Sequence, residues 1–320
     1  MSSNKFNAKV LVVGSMSMDL VVRTPQFPRS GETVFGSSFN RFPGGKGANQ
    51  AVAAARLGAD VTMVGKVGCD EFGDSLLDIL KIEGVDIRYV LRDKQTPTGV
   101  AFINLDGAGR NQIAVVLGAN LEYTSDELRQ LEDIIGVHDI MMLQLETDLG
   151  LIDTAVDLAV KNHVPIILDP APVRKLNDQL LKKVTYLTPN ETEFEVLTGR
   201  RLCDVDDAKK NVKVLLEKGI QNIILTLGDK GALIAGQKEE IQYVPGFPTK
   251  VVDTVAAGDS FNGALAFALT HGKLLNEAVV FANAVGALTV TKQGAIPSLP
   301  KLSDVNLFLD TFSGPKQRTL

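Results

Sequence analysis

Short apolar runs separated by stretches with helical periodicity place the tightest limit on what this chain can become. The runs are KVLVVG (9–14), VTMVGKV (61–67), DIMMLQLE (139–146), VPIILDP (164–170), VTYLTPN (184–190) and NIILTLG (222–228). Between them lie amphipathic segments such as NQAVAAARLG (49–58), LIDTAVDLAVKN (151–162) and DAKKNVKVLLEKG (207–219). The first and last of these close on a glycine, the residue that most readily takes the left-handed turn after a helix. Continuously apolar strands spaced by helices are buried on both faces, so the pattern predicts an α/β fold with a doubly wound, mostly parallel sheet. The 320 residues are read as a single domain over 1–320, long enough to bury a sizeable core.

Two segments depart from that rhythm. Residues 17–43, SMDLVVRTPQFPRSGETVFGSSFNRFP, are dense in turn signals. Residues 97–117 read as a hairpin, GVAFINL and RNQIAVVL joined through DGAG. Strand-like pieces with no helix between them predict a small separate β-sheet. A few strands cannot bury a core alone, so this sheet must cover something or pair with another copy. A lid over a site is the preferred reading, an interaction arm the plainer one.

Composition narrows the function. Hydrophobic residues make up 45% and charged residues 22%, the balance of an ordinary globular chain. A net charge of −5 favours neither nucleic acid nor an anionic membrane as partner. No apolar run approaches the roughly 18 residues needed to span a bilayer, and VLVVG is too short for a signal-peptide core. Cys69 and Cys203 lack metal-type spacing, which fits a reducing cytosol, so a cytoplasmic location is expected. The three histidines are scattered and read as structural or surface groups, and tryptophan is absent. No G-x-x-x-x-G-K-[ST], G-x-G-x-x-G after the first strand, H-E-x-x-H, C-x-x-C or G-x-S-x-G occurs. P-loop, dinucleotide, zinc-hydrolase, dithiol and α/β-hydrolase chemistries are disfavoured.

Polar residues gather where the strands end. Gln144 and Glu146, Asp169, Asn190 and Glu193, then Thr226, Gly228 and Gly231 follow four successive apolar runs. Singly each could cap the next helix; together they predict a polar cleft at the carboxyl edge of the sheet. GGKGANQA (44–51) opens a small-residue helix, where glycines permit close approach of a ligand to main-chain N–H groups or tight helix packing. AAGD (256–259) precedes a helix with Phe261, Leu265 and Leu269 on one stripe. The first N–H groups of that helix lack partners and sit at its positive end, open to a phosphate. On local grounds Asp259 is either a cap or a catalytic carboxylate.

GGKGANQA and DTVAAGDSFNGAL resemble the paired signatures of the PfkB-type carbohydrate kinases. The pieces SGETV (30–34), MLQLE (142–146), DPAP (169–172), TPNETE (188–193), TLGDKG (226–231) and TKQGAIPS (291–298) resemble its ribokinase branch. The likeness runs in order from about residue 9 to residue 300. It implies ATP-dependent phosphorylation of D-ribose at the 5-hydroxyl on a ribokinase-like fold. Asp259 would be the general base and the N–H groups of Ala256, Ala257 and Gly258 the anion hole. Ser17, Met18, Asp19, Gly45, Lys46, Gly47, Ala48, Asn49 and Glu146 would hold the sugar. Asn190, Thr226, Leu227, Gly228, Asp229, Lys230, Gly231, Gly258 and Asn283 would contact the nucleotide, with Glu193 reaching Mg²⁺ through water. A monovalent cation, K⁺, would sit at Asp253, Val255, Thr289, Lys292, Gly294 and Ser298, and a homodimer would form through the lid strands.

Physical chemistry is compatible with these roles. A pentose needs several donors and acceptors, which Asp19, Asn49 and Glu146 supply. Phosphoryl transfer asks mainly for alignment and charge neutralisation. Three departures stand out. Ala256 replaces the glycine of the usual D-T-x-G-A-G-D, Asp169 stands where Asn is common, and Ser17 where many ribokinases carry Asn. The last leaves a 2-deoxyribokinase as the alternative, with another sugar kinase or a non-catalytic sugar-binding regulator further off.

Overall fold

The computed structural model describes residues 9–237 and 240–312, so both ends of the 1–320 span lie outside it. Thirteen strands are found among the described residues. In chain order they are β1 (Lys9–Val13), β2 (Ser17–Arg23), β3 (Ser38–Gly44), β4 (Asp60–Gly68), β5 (Asp86–Asp93), β6 (Gly99–Leu105), β7 (Asn111–Val116), β8 (Ile140–Leu143), β9 (Ile166–Leu168), β10 (Tyr186–Leu187), β11 (Asn222–Thr226), β12 (Gly231–Gly236) and β13 (Gln242–Pro245). Nine of them form one sheet in the order β13-β12-β11-β10-β9-β8-β1-β4-β5. Its pairings are parallel from β5 to β11, and only β11–β12 and β12–β13 are antiparallel.

Strand β1 shows why the sheet is covered on both sides. Val10 and Val12 belong to one apolar cluster, with the helices Lys46–Leu57, Ala257–Thr270 and Leu275–Thr289. Leu11 and Val13 belong to the other, with the helix Leu149–Lys161. Alternate side chains of one strand therefore feed two separate cores, which is why the run is apolar from Val10 to Val13, after the exposed Lys9.

Six strands are expected from the apolar runs, and three more complete the sheet. β5, DIRYVLRD, is half-buried at an edge and its charges hide it from a search for continuous apolarity. β12 is fully buried but begins at Gly231, whose φ of 104° makes the tight turn from β11. A Cβ on Gly231 would lie 2.2 Å from the Val244 carbonyl oxygen, so β13 can approach only glycine there. β9 and β10 are only three and two residues long. Prolines at 165, 170 and 189 bracket them, and proline has no N–H for the ladder. The expected helix over 207–219 is two short ones, Val205–Asn211 and Lys213–Leu216.

The remaining four strands make a separate sheet, β3-β2-β6-β7, drawn from the two segments that lack intervening helices. Arg110 and Ala108 donate their backbone N–H groups to Asp106 Oδ1 and close the β6–β7 turn, with Gly109 at φ 79°. Phe39, Phe102, Ile113 and Val115 of this sheet are exposed. β1 runs into β2 through residues 14–16, and β3 ends at Gly44, immediately before the helix Lys46–Leu57. The joint between the two sheets thus lies at the carboxyl end of β1.

The helices Lys46–Leu57 and Ala257–Thr270 cross at closest approach where Gly263 faces Ala53. A Cβ on Gly263 would fall 2.7 Å from Ala53 Cβ and 2.9 Å from the Gln50 carbonyl oxygen. Gly263→Ala gains helix propensity of about 1 kcal/mol, yet overpacking costs roughly 1–3 kcal/mol. The net expectation is a lower melting temperature by calorimetry, and an unchanged or raised one would show that the helices have slack.

Candidate active site

The carboxyl ends of β9, β10 and β11 and the start of the helix Ala257–Thr270 surround a cavity of about 180 Å³. Its wall includes Lys46, Asp169, Asn190, Glu193, Thr226, Ala256, Ala257, Gly258 and Asp259. Three of the four polar strand ends thus line it, and the fourth, Gln144 and Glu146, is joined to it through Gln50 and the Lys46 N–H.

Three glycines make the joint beneath it. Gly45 has φ 91°, and a Cβ there would lie 2.7 Å from the Ser17 nitrogen. On Gly47 a Cβ would come within 2.6 Å of the Gly14 carbonyl carbon, and on Gly44 within 2.8 Å of Asp19 Oδ2. GGKG is therefore the sequence that lets the first turn of a helix lie against the backbone of residues 14–17. With the helix in that place the Lys46 N–H donates to Glu146 Oε2 at 3.1 Å, and Ser15 Oγ donates to the same oxygen at 2.7 Å. Asn49 Nδ2 donates to Asp259 Oδ2 at 2.9 Å. Its own Oδ1 is buried and has no donor among the described residues.

Asp259 is not the cap of its helix. Ala256 holds the N-cap place with φ 60° and ψ 11°, without a side-chain bond to the helix, and Asp259 is the third helical residue. A left-handed alanine costs roughly 1–2 kcal/mol relative to ordinary backbone, so this turn carries strain at the mouth of the cavity. The buried Asp259 carboxylate accepts from Asn49 and from Gln50 Nε2 at 3.2 Å, both from another helix. Ala257 N–H donates to the Thr254 carbonyl at 3.3 Å, so it is not free as the sequence suggests. The free donors at the helix start are the N–H groups of Ala256, Gly258 and Asp259, which find no acceptor among the described residues.

The acids repel one another. Burial, then Glu146 and Asp259, push the Asp19 carboxyl up to about 7. Asp169 rises to about 8, chiefly through burial; Lys46 works against the rise while Asp259, Glu193 and Glu146 add to it. Glu193 is also raised by burial. Burial opposes the Lys46 charge, but Asp259, Asp169, Glu146 and Glu193 outweigh it and hold the ammonium well above its ordinary value. One cation thus balances part of a concentrated negative charge.

Other positions singled out in the sequence fall around this centre. Ser17 and Met18 are buried at the start of β2, Ser17 beside Gly44 and Gly99, and Gly47 and Ala48 are buried in the first turn of their helix. Asn190 and Glu193 close a reciprocal capping box, with Asn190 Nδ2 2.8 Å from Glu193 Oε1. Thr226 reaches the cavity, but the turn that follows does not: Gly228, Asp229 and Lys230 are exposed, and Leu227 N–H donates to the Gly231 carbonyl. Asn283 turns its Nδ2 to the carbonyls of Val244 and Pro245, away from the cavity wall.

Asp253 accepts from the N–H groups of Val255 and Gly294 at 3.1 and 2.9 Å, tying those two loops together. Thr289 Oγ1 meets Ser260 Oγ at 2.9 Å, Lys292 N–H donates to the Thr289 carbonyl, and Ser298 Oγ donates to the Ala295 carbonyl. Among the described residues no group of three or more His, Cys, Asp or Glu is arranged to hold a metal, and no helix is long and apolar enough to cross a membrane. Sequence reading missed Ser15, Gln50 and Asn262; Gln50 and Asn262 lie inside the two glycine motifs, and Ser15 directly follows the first strand and Gly14.

Comparison with known proteins places this geometry among sugar kinases. A model of the pfkB family carbohydrate kinases matches residues 7–302. A ribokinase of Haemophilus influenzae is 40% identical over 299 residues, 93% of this chain and 97% of that protein. A deoxyribokinase of Salmonella typhi is 35% identical over 301 residues, covering 94% and 98%. A solved structure of an Arabidopsis thaliana ribokinase complexed with ribose and ATP superposes with a TM-score of 0.88 at 32% identity, covering 95% of this chain and 99% of that one.

The raised Asp169 carboxyl makes a pH prediction. The folded chain holds this proton more tightly than the unfolded chain, where the group titrates near 3.8. Its contribution to stability is therefore full below that value and lost as pH rises through about 8. Asp169→Asn is expected to melt higher than the parent, with an advantage that widens between pH 5 and pH 9. Melting curves that stay parallel across that range would refute the shift.

Proposed function

The chain belongs to the pfkB family of carbohydrate kinases, and we propose that it phosphorylates D-ribose at the 5-hydroxyl with ATP, giving ribose 5-phosphate and ADP. One observation carries the reading: a buried carboxylate, Asp259, shares a helix terminus with free N–H groups over a polar cavity. Asp259 receives the proton of the attacking hydroxyl. The N–H groups of Gly258 and Asp259, at the positive end of their helix, receive the oxygens of the moving phosphoryl group. Lys46 adds a fixed positive charge on the same wall. Asp19, Glu146 and Asn49 hold the sugar hydroxyls, and the donorless Asn49 Oδ1 is an acceptor that a hydroxyl would satisfy. The small sheet serves as a lid on one kinase domain, excluding water from the transfer. A second copy would cover its exposed Phe39, Phe102, Ile113 and Val115 in a homodimer.

Mg²⁺ arriving with ATP supplies charge neutralisation along the phosphates. Asn190 and Glu193 would meet it through water, and their lone pairs on the cavity wall suit that hard cation. For K⁺ the fit is an all-oxygen set: the carboxylate of Asp253 with carbonyl or hydroxyl oxygens of Val255, Thr289, Lys292, Gly294 and Ser298. The Asp253 bridge holds the two loops that carry most of them. The turn Thr226–Gly231 and the region of Asn283 take the rest of the nucleotide. A 2-deoxyribose substrate is the second reading, favoured by the short Ser17 side chain at the start of β2 and by the likeness to a deoxyribokinase.

A coupled assay of ADP release across ribose, 2-deoxyribose, fructose and adenosine, with and without K⁺, tests this reading. Turnover is expected with ribose, dependent on Mg²⁺ and raised by K⁺; a clear preference for 2-deoxyribose would move the assignment to the second reading. Asp259→Asn is expected to lose roughly 10²–10⁴-fold in kcat, and near-normal turnover would remove Asp259 as the base.

A further inference from the structure

We propose that Gln50 and Gln144 are positioning residues for phosphoryl transfer, an amide pair that fixes the orientation of the Asp259 carboxylate toward the substrate hydroxyl. The inference rests on Asp259 being the general base. Asn49 and Gln50 are consecutive on the helix Lys46–Leu57 and both buried, and each holds one oxygen of Asp259. Asn49 takes Oδ2 at 2.9 Å and Gln50 takes Oδ1 at 3.2 Å. Two donors on opposite oxygens stop the carboxylate from rotating about its Cβ–Cγ bond.

The orientation of Gln50 is itself determined. Its Nε2 also donates to Asp169 Oδ2 at 2.9 Å, so both amide hydrogens are used, one on each carboxyl. Turning the amide over would set its oxygen against the Asp259 carboxylate and forfeit that bond. With Nε2 on the carboxyls, Oε1 points back and accepts from Gln144 Nε2 at 2.6 Å. Gln144 in turn lies where only Gly14 leaves room, since a Cβ on Gly14 would fall 1.9 Å from Gln144 Oε1. The chain Gly14–Gln144–Gln50–Asp259 thus runs from the end of β1 to the base. Burying two amides in this line, with Gln144 Oε1 left without a donor, has no merit as packing alone.

Gln50→Met and Gln144→Met test this, each made alone and in an Asp259→Asn background. Losing the clamp misplaces the base without touching sugar or nucleotide contacts. Gln50→Met should lower kcat roughly 10–100-fold and Gln144→Met roughly 3–10-fold, with both KM values within about twofold. In the Asp259→Asn background neither should cost anything further, because the group they orient is gone. If Gln50→Met does not fold, Gln144→Met decides, since it contacts neither carboxyl. Folded variants with parental kcat beside an inactive Asp259→Asn would overturn the clamp and leave the base in place. Losses that recur in full in the Asp259→Asn background would overturn it too. An active Asp259→Asn would instead remove the base reading on which the clamp depends.

Discussion

The contact between Asn49 and Asp259 joins residues 210 positions apart, and the rest of the site depends on it. It requires two helices from opposite ends of the chain to approach almost backbone to backbone. Glycine makes that possible at both places: Gly263 where the helices cross, and Gly45 and Gly47 where the first helix meets residues 14–17. A methyl group at any of these would fall below 3 Å from a neighbouring backbone atom. Close packing here is a condition for chemistry, because a carboxylate is useful only when its distance to the reacting oxygen is fixed.

Placing Asp19, Glu146, Asp169, Glu193 and Asp259 within reach of one another is electrostatically costly. The protein relieves it by keeping protons on some of the acids, as the raised Asp19 and Asp169 carboxyls show, and by lodging Lys46 among them. A site poised this way is suited to a substrate pair whose own groups, many hydroxyls and a polyphosphate with its counter-ions, redistribute the charge. The strained left-handed Ala256 belongs to the same economy: backbone strain there leaves the helix N–H groups facing the cavity.

How much could be read from sequence differs from element to element. The runs at 9–14, 61–67, 139–146 and 222–228 announce buried strands because their apolar stretches supply both cores, with charges confined to the ends except for the buried, ion-paired Lys66. β5 escaped, since an edge strand exposes one side and DIRYVLRD carries its charges there. The two helix-free segments foretold the second sheet, whose strands cannot bury a core alone. Asp259 looked locally like a cap as readily as a catalyst, and only its distance partners, Asn49 and Gln50, separate the two. Gln50 gave no signal beyond standing next to Asn49.

The sequence by itself determined the layers and the residue types of the site, because apolar periodicity and glycine placement are local properties of a chain. Tertiary structure decided which polar groups meet. The free N–H groups are those of Ala256, Gly258 and Asp259, while Ala257 is bound to Thr254 and Asn283 turns toward Val244. Gln50, unremarked in the linear order, spans two carboxyls. Hydrogen-bond partners depend on ångström-scale packing between helices far apart in sequence, and no periodicity within either helix encodes that distance.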